Sequence, residues 1–257
     1  IKAMHDTSEL KVGSYTEAFS KWLVRAGEQR PELMAITAAM PDSTGLLPFK
    51  DRFPDRFLDV GIAEQHAVTA AAGMAMGGLR PVVAIYATVL SRAIDQGNLD
   101  VGLHRLPVVF CLDRASVTGD EGPSHHGLLD MVMLSKGPGM TILAPSSYQE
   151  LQQMFEDALA ITDGPVAIRW AKTPAPHVGW DEVGRGLSAR QVRVASDDRT
   201  VCLLGAGKML AATVEAAELL AAYRPHRKRG WATADWSHGC PTPDPCSRPN
   251  ITRAPSM

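Results

Sequence analysis

The sequence predicts an α/β protein: a doubly wound, mostly parallel sheet with helices on both faces, followed by a truncated second α/β unit. Three observations carry that expectation. Short apolar runs recur along residues 13–172 with the unbroken hydrophobicity of strands buried on both faces. Segments of helical period separate them, two of which open on a capping box. Turn signals such as Pro41-Asp42 and Asp163-Gly164 close individual elements.

In order, Ser14-Tyr15-Thr16-Glu17 is the first capping box, opening a helix with Ala18, Phe19, Trp22 and Leu23 on one face. The run Leu-Met-Ala-Ile-Thr at 33–37 reads as a strand, and Phe-Leu-Asp-Val-Gly at 57–61 as another. Residues 63–76 read as a helix of small side chains. A strand at 81–86 leads into a helix through Asp100, and the apolar runs at 106–112 and 140–143 are further strands. Ser147 and Glu150 form the second capping box, whose helix ends near Asp163-Gly164, and 165–170 is the last strand of this domain. Residues 173–198, richer in Pro, Gly and charge, read as a linker with a strand at 191–194. Residues 199–223 begin a second unit, with a strand at 201–205, a turn and a helix to about Ala222. Residues 1–12 read as a flexible leader. From Arg224 onward no helical or strand period survives and prolines accumulate, so little apolar surface offsets the entropy of ordering. Residues 224–257 are therefore expected to be a disordered or aberrant tail that cuts a βα unit short. A first residue of Ile rather than Met suggests a fragment.

Composition excludes several classes. The formal net charge of −2 gives no electrostatic basis for binding nucleic acid or an anionic membrane. The first residues are polar and of mixed charge, unlike a secretory signal, and the Gly-rich apolar stretch at 67–79 is too short to span a bilayer. Cys111, Cys202, Cys240 and Cys246 form no CxxC pair, as expected of free thiols in a reducing cytosol. A cytoplasmic location follows from that reading.

Two clusters can carry chemistry. In Asp59-Val60-Gly61-Ile62-Ala63-Glu64-Gln65-His66 a strand ends, a glycine allows a tight turn, and a carboxylate stands on the first turn of a helix. On its own, Glu64 is adequately explained as a complement to the helix dipole. In Asp113-Arg114-Ala115-Ser116 and Thr118-Gly119-Asp120-Glu121-Gly122-Pro123-Ser124-His125-His126-Gly127, a loop leaves a strand's carboxyl end, where open α/β sheets bind ligands. Its spacing fits no zinc pattern, which leaves proton transfer, substrate binding or a solvated polar loop. Arg92 and Arg169, near the ends of different strands, are candidates for an anion site or for ordinary surface positions.

The runs FPDRFLDVGIAEQHAVTAAAGMAMGGLRPVVAIYATVL, RAIDQ and LPVVFCLDRASVTGDEGPSHHG resemble the middle domain of the 1-deoxy-D-xylulose-5-phosphate synthases, with DVGIAEQHAV and GPSHHG the specific parts. The resemblance covers about residues 14–172 and resumes at 201–220, which resembles the opening of that family's third domain. It implies a transketolase-like fold and a thiamine diphosphate enzyme that condenses pyruvate with glyceraldehyde 3-phosphate, losing CO2. It also implies that Glu64 hydrogen-bonds N1′ of the cofactor's aminopyrimidine, that His125 handles protons on the reacting adduct, and that Arg92 and Arg169 hold the acceptor's phosphate. Tyr86 and Arg114 match other site-lining positions. Val89 stands where the family has an aromatic ring on the pyrimidine, Glu121 where it usually has Asp, and Ser116 where it usually has Gly. The GDG…Asn motif that holds Mg²⁺ and the diphosphate is lacking, Asn98 and Asn250 being the only asparagines. In the family that motif belongs to a preceding domain, so this chain alone is expected to bind cofactor weakly and to be inactive. Homodimers are usual in the family, which implies exposed apolar surface on an isolated piece. The alternatives are the pyrimidine-binding subunit of a split transketolase or 2-oxoacid dehydrogenase, and a non-catalytic paralogue serving as an interaction module.

Overall fold

The N-cap half of the first capping box forms, while the Glu17 carboxylate accepts from the amide of Gly13, one residue before the cap. Ser14 Oγ accepts from the Glu17 amide at 3.1 Å, and α1 (Tyr15–Gln29) buries Tyr15, Ala18, Phe19 and Leu23. The computed structural model describes residues 13–183, 190–193, 201–223 and 231–235; the expected leader and most of the expected tail lie outside them. After α1 come β1 (Leu33–Thr37), α2 (Leu47–Arg52), β2 (Phe57–Asp59), α3 (Glu64–Met76), β3 (Arg80–Tyr86), α4 (Ile94–Gln96), β4 (Val109–Asp113), α5 (Asp130–Leu134), β5 (Thr141–Leu143), α6 (Tyr148–Ala160) and β6 (Val166–Arg169). The N-cap half of the second capping box forms too: Ser147 Oγ accepts from the Glu150 amide, and the Glu150 carboxylate accepts from the amide of Ser146, one residue before the cap.

The six strands make one parallel sheet in the order β2-β1-β3-β4-β6-β5. Alternation along each strand divides two cores. Val82, Ala84, Val109, Cys111, Val166 and Ile168 pack with α1 and α6, whereas Val83, Ile85, Phe110, Leu112 and Ala167 pack with α3. Both faces are covered, which is why the strands read as continuous apolar runs, and the doubly wound parallel expectation holds. Because all six strands run the same way, every loop leaving a carboxyl end lies along one edge.

Four elements depart from the sequence reading. The single helix expected after β3 is instead a broken segment: a 3-10 turn (Val89–Ala93), α4, then a π-helical stretch (Gly97–Gly102). Gly102 approaches the Pro138 carbonyl so closely that a β-carbon would lie 2.8 Å from it, so packing rather than helical period sets this backbone. The short helices α2 and α5 carry too few residues to show a period and were not anticipated. Lastly, β7 (Arg190–Arg193), β8 (Val201–Gly205), α7 (Met209–Tyr223) and β9 (Trp231–Asp235) form a second sheet in the order β7-β9-β8. The strand β9 lies where the sequence shows no strand period. It runs parallel to β8 and antiparallel to β7, so backbone pairing on both sides supplies what five residues of local pattern do not. The βα unit expected to stop after α7 therefore reaches its next strand.

Candidate active site

The loop after β2 positions Glu64. Asp59 Oδ1 accepts from the Ala39 amide at 2.8 Å and the Gly61 amide at 3.0 Å, tying the exits of β1 and β2 together. Gly61 takes φ +69°, a turn that a β-carbon would strain, and the chain then enters α3 with Glu64 as its first residue. The Glu64 side chain is only 3 % exposed. Among the described residues its one ionic partner is Arg92, whose Nη1 stands 3.6 Å from Oε1 and whose side chain is 57 % exposed. The amino end of α3 offsets part of the cost of burying this charge; a donor aimed at the carboxylate would offset more.

A second knot gathers at the exits of β3 and β4. Asp113, fully buried, accepts from Thr16 Oγ1 at 2.5 Å and from the Arg114 amide at 2.6 Å, and pairs with Arg114 Nη1 at 3.1 Å. Arg114 takes φ +59°, and its guanidinium lies over the Tyr86 ring, 4.4 Å from the centroid, while Nη1 donates to the Ser43 carbonyl at 2.7 Å. Glu121 reaches back from the following loop: Oε1 is 3.4 Å from Arg114 Nε and 2.8 Å from Lys172 Nζ. Arg114 Nε, within ion-pair distance of Glu121, and Glu121 Oε2 are both buried, and neither makes a hydrogen bond among the described residues. His125, on the same loop, meets the edge of Tyr86 at 5.9 Å between centroids, its Nδ1 3.0 Å from Ser124 Oγ. His126 turns the other way, onto Thr118.

Burial pushes the Asp113 carboxyl up from the ordinary aspartate range, against the pull of Arg114 and Thr16. The folded state then keeps the proton to higher pH than the unfolded chain does. The associated stability is fully present below the unfolded pKa of about 3.9 and is lost as pH rises through the folded value. Asp113→Asn cannot ionise, so its melting temperature is expected to gain on the wild type's as pH is raised from about 4 to 7. A pH-independent difference in calorimetry would assign the slope to another group.

The third knot holds Arg169, the last residue of β6. Its Nε and Nη2 donate to the two oxygens of Asp130 at 2.6 and 3.2 Å, and Nη2 stands 3.5 Å from Ser116 Oγ. Asp130 is fully buried, and the Arg169 side chain is 10 % exposed. So the structure brings Tyr86, Arg114, Glu121 and His125 together, joins Arg92 to Glu64, and ties Arg169 to Asp130. It pairs the two candidate phosphate arginines with different carboxylates. Val89, first residue of the 3-10 turn, packs against the core on the α3 face.

With that edge described, comparison with known proteins becomes informative. The model of the transketolase pyrimidine binding domain matches residues 12–176. The chain belongs to the transketolase pyrimidine-binding domain family. The 1-deoxy-D-xylulose-5-phosphate synthase of Gloeobacter violaceus is 46 % identical over 212 residues, covering 80 % of this chain and 33 % of that protein. That of Mycolicibacterium vanbaalenii is 55 % identical over 158 residues, 62 % of this chain and 25 % of that protein. The chain thus spans about a third of the length of such relatives. Among solved structures, a split gene transketolase described as an inactive beta4 tetramer aligns with TM-score 0.75 at 25 % identity, over 88 % of this chain and 71 % of that one. Transketolase from Leishmania mexicana has the same fold, with TM-score 0.72 at 18 % identity, over 86 % of this chain and 34 % of that one.

In this pyrimidine-binding domain, several neighbours of the candidate residues are not legible in the sequence. Asp130, Lys172, Ser43 and Thr16 all touch the predicted residues, yet each lies in an unremarkable local context, and only the fold reveals its partner. The domain also exposes Leu128, Leu129 and Val132 just beyond the histidine loop, Leu99 on the π-helical stretch and Leu103 directly after it. Among the described residues no helix is long and apolar enough to cross a membrane.

Proposed function

We propose that this chain is the pyrimidine-binding part of a thiamine diphosphate-dependent transferase of the 1-deoxy-D-xylulose-5-phosphate synthase type, which joins pyruvate to glyceraldehyde 3-phosphate with loss of CO2. The observation that carries this reading is Glu64, a carboxylate buried at the head of a helix on the ligand-binding edge, with a single exposed arginine as ionic partner. That environment fits an aminopyrimidine, whose protonated or imino form offers the missing donor. When bound, thiamine diphosphate supplies the carbon nucleophile and the electron sink. Glu64 holds and shares the proton at the ring nitrogen N1′. Val89 gives the ring an apolar contact in place of a stacked aromatic, at a cost of roughly 1 kcal/mol. Tyr86 and His125 line the reacting carbon's side of the site, with His125 moving protons at the substrate oxygen.

Arg114 Nε and Glu121 Oε2, open donor and acceptor, suit a hydroxyl of the acceptor, while Arg92 and Arg169 draw its phosphate. Mg²⁺ and the diphosphate are assigned to a separate domain, because this sequence lacks the GDG…Asn oxygen-ligand motif. We further assign the exposed leucines to a homodimer contact in the complete enzyme, and expect the chain by itself to self-associate in light scattering. A monodisperse monomer at high concentration would remove that assignment. The near-neutral charge supports neither a nucleic-acid nor a membrane partner, and a cytoplasmic location accords with free Cys111. The reading is tested by titrating thiamine diphosphate and Mg²⁺ into this chain mixed with the diphosphate-binding domain of a relative, and following pyruvate consumption. Cofactor-dependent carboligation supports it. Tight association with the supplied domain and no cofactor uptake would instead identify an interaction module.

A further inference from the structure

Ser116 stands at φ +72°, in the left-handed region where a β-carbon is costly, two residues after Arg114. Its backbone is pinned there. The Ser116 amide donates to the Gly127 carbonyl at 2.7 Å, and the Gly127 amide donates back to the Ser116 carbonyl at 2.9 Å. Residue 127 is closely packed in turn: a β-carbon on Gly127 would lie 2.6 Å from Ala87 Cβ and 2.7 Å from the Arg114 carbonyl. The conformation at 116 is therefore imposed by the loop, and glycine would adopt it without strain. Serine adds only a hydroxymethyl group. Its one side-chain hydrogen bond among the described residues comes from Arg169, whose Nη2 donates toward Oγ across 3.5 Å.

Arg169 is itself paired with fully buried Asp130, so part of its charge is compensated and hydrogen-bond donors beside it add to its hold on an anion. What the pair binds is then decided by its remaining hydrogen-bond donors. Arg169 Nη1 has no partner among the described residues, and a hydroxyl that accepts from Nη2 keeps its own proton to donate. Strain such as that at Ser116 persists only where the surrounding structure over-determines it, and it clusters at ligand sites.

We propose that Ser116 is a specificity-determining residue, its hydroxyl donating to an oxygen of a phosphomonoester held beside the Arg169 guanidinium. This rests on the reading of Arg169 as part of the acceptor's phosphate site. Two substitutions separate strain from chemistry: Ser116→Gly removes both strain and hydroxyl, whereas Ser116→Ala removes the hydroxyl and keeps the strain. The test titrates orthophosphate and glycerol 3-phosphate into the full chain at fixed ionic strength by calorimetry, alongside thermal melts. Both variants are expected to bind about tenfold more weakly than the wild type. Ser116→Gly is expected to melt about 2–4 °C above Ser116→Ala. Wild-type affinity in both variants overturns the role of Ser116 and leaves the anion site standing. If the wild type binds phosphate no better than Arg169→Leu does, the anion site itself fails, and this proposal with it.

Discussion

Glu64→Gln is expected to lower carboligation by about 10²- to 10⁴-fold, measured with a diphosphate-binding domain supplied in trans, while leaving the melting temperature within a few degrees of the wild type's. The two halves of that expectation come from one geometry. Glutamine matches the carboxylate in size, so the packing at the head of α3 persists. It also removes a charge that the protein buries to 97 % with one solvated partner 3.6 Å away, and relieving such a charge costs the fold little. Catalysis is a different matter, since an amide cannot share the ring nitrogen's proton. Glu64→Asp keeps the acid but shortens its reach, so it should fall between the two. Wild-type turnover by Glu64→Gln would end the assignment of Glu64 as the pyrimidine's partner. A large loss of stability would instead make it a structural residue.

The second large effect concerns Asp130→Ala. Arg169 donates through two nitrogens to a fully buried carboxylate, and removing that carboxylate leaves a guanidinium 10 % exposed with its main partner gone. Breaking a buried pair from one side costs about 3–5 kcal/mol, enough to lower the melting temperature of a domain this size by roughly 10 °C. The double variant Asp130→Ala with Arg169→Met, which removes both charges, is expected to recover part of that loss, and denaturant titration of the wild type, both single variants and the double measures the coupling. A single-variant loss under about 1 kcal/mol would mean that water reaches Arg169 more freely than its burial indicates.

How much of this was legible beforehand depends on the range of the interaction. Both capping boxes were readable because Ser14 with Glu17, and Ser147 with Glu150, act across three residues within one turn. The strands were readable because a parallel sheet covered on both faces needs uninterrupted apolar residues, as in β3 and β4. Glu64 was visible as a carboxylate after a turn glycine, and Ser116 as a departure from a usual glycine. The helix after β3 was misread because its backbone answers to Pro138, some forty residues away, rather than to its own period. The strand β9 was missed because its stability comes from pairing with β7 and β8.

The sequence by itself determined the layer order of secondary structure, the parallel sheet, and which polar residues would reach its carboxyl edge, because chain order, apolar period and turn chemistry are local properties. Only the tertiary structure decided how those residues pair: Arg92 with Glu64, Arg114 with Asp113 and Glu121, Arg169 with Asp130. Charge pairing inside a fold depends on distance and burial, and neither is set until β3, β4 and β6 lie side by side. The same packing decided that residue 116 must be left-handed, turning an ordinary serine into a strained one beside a guanidinium.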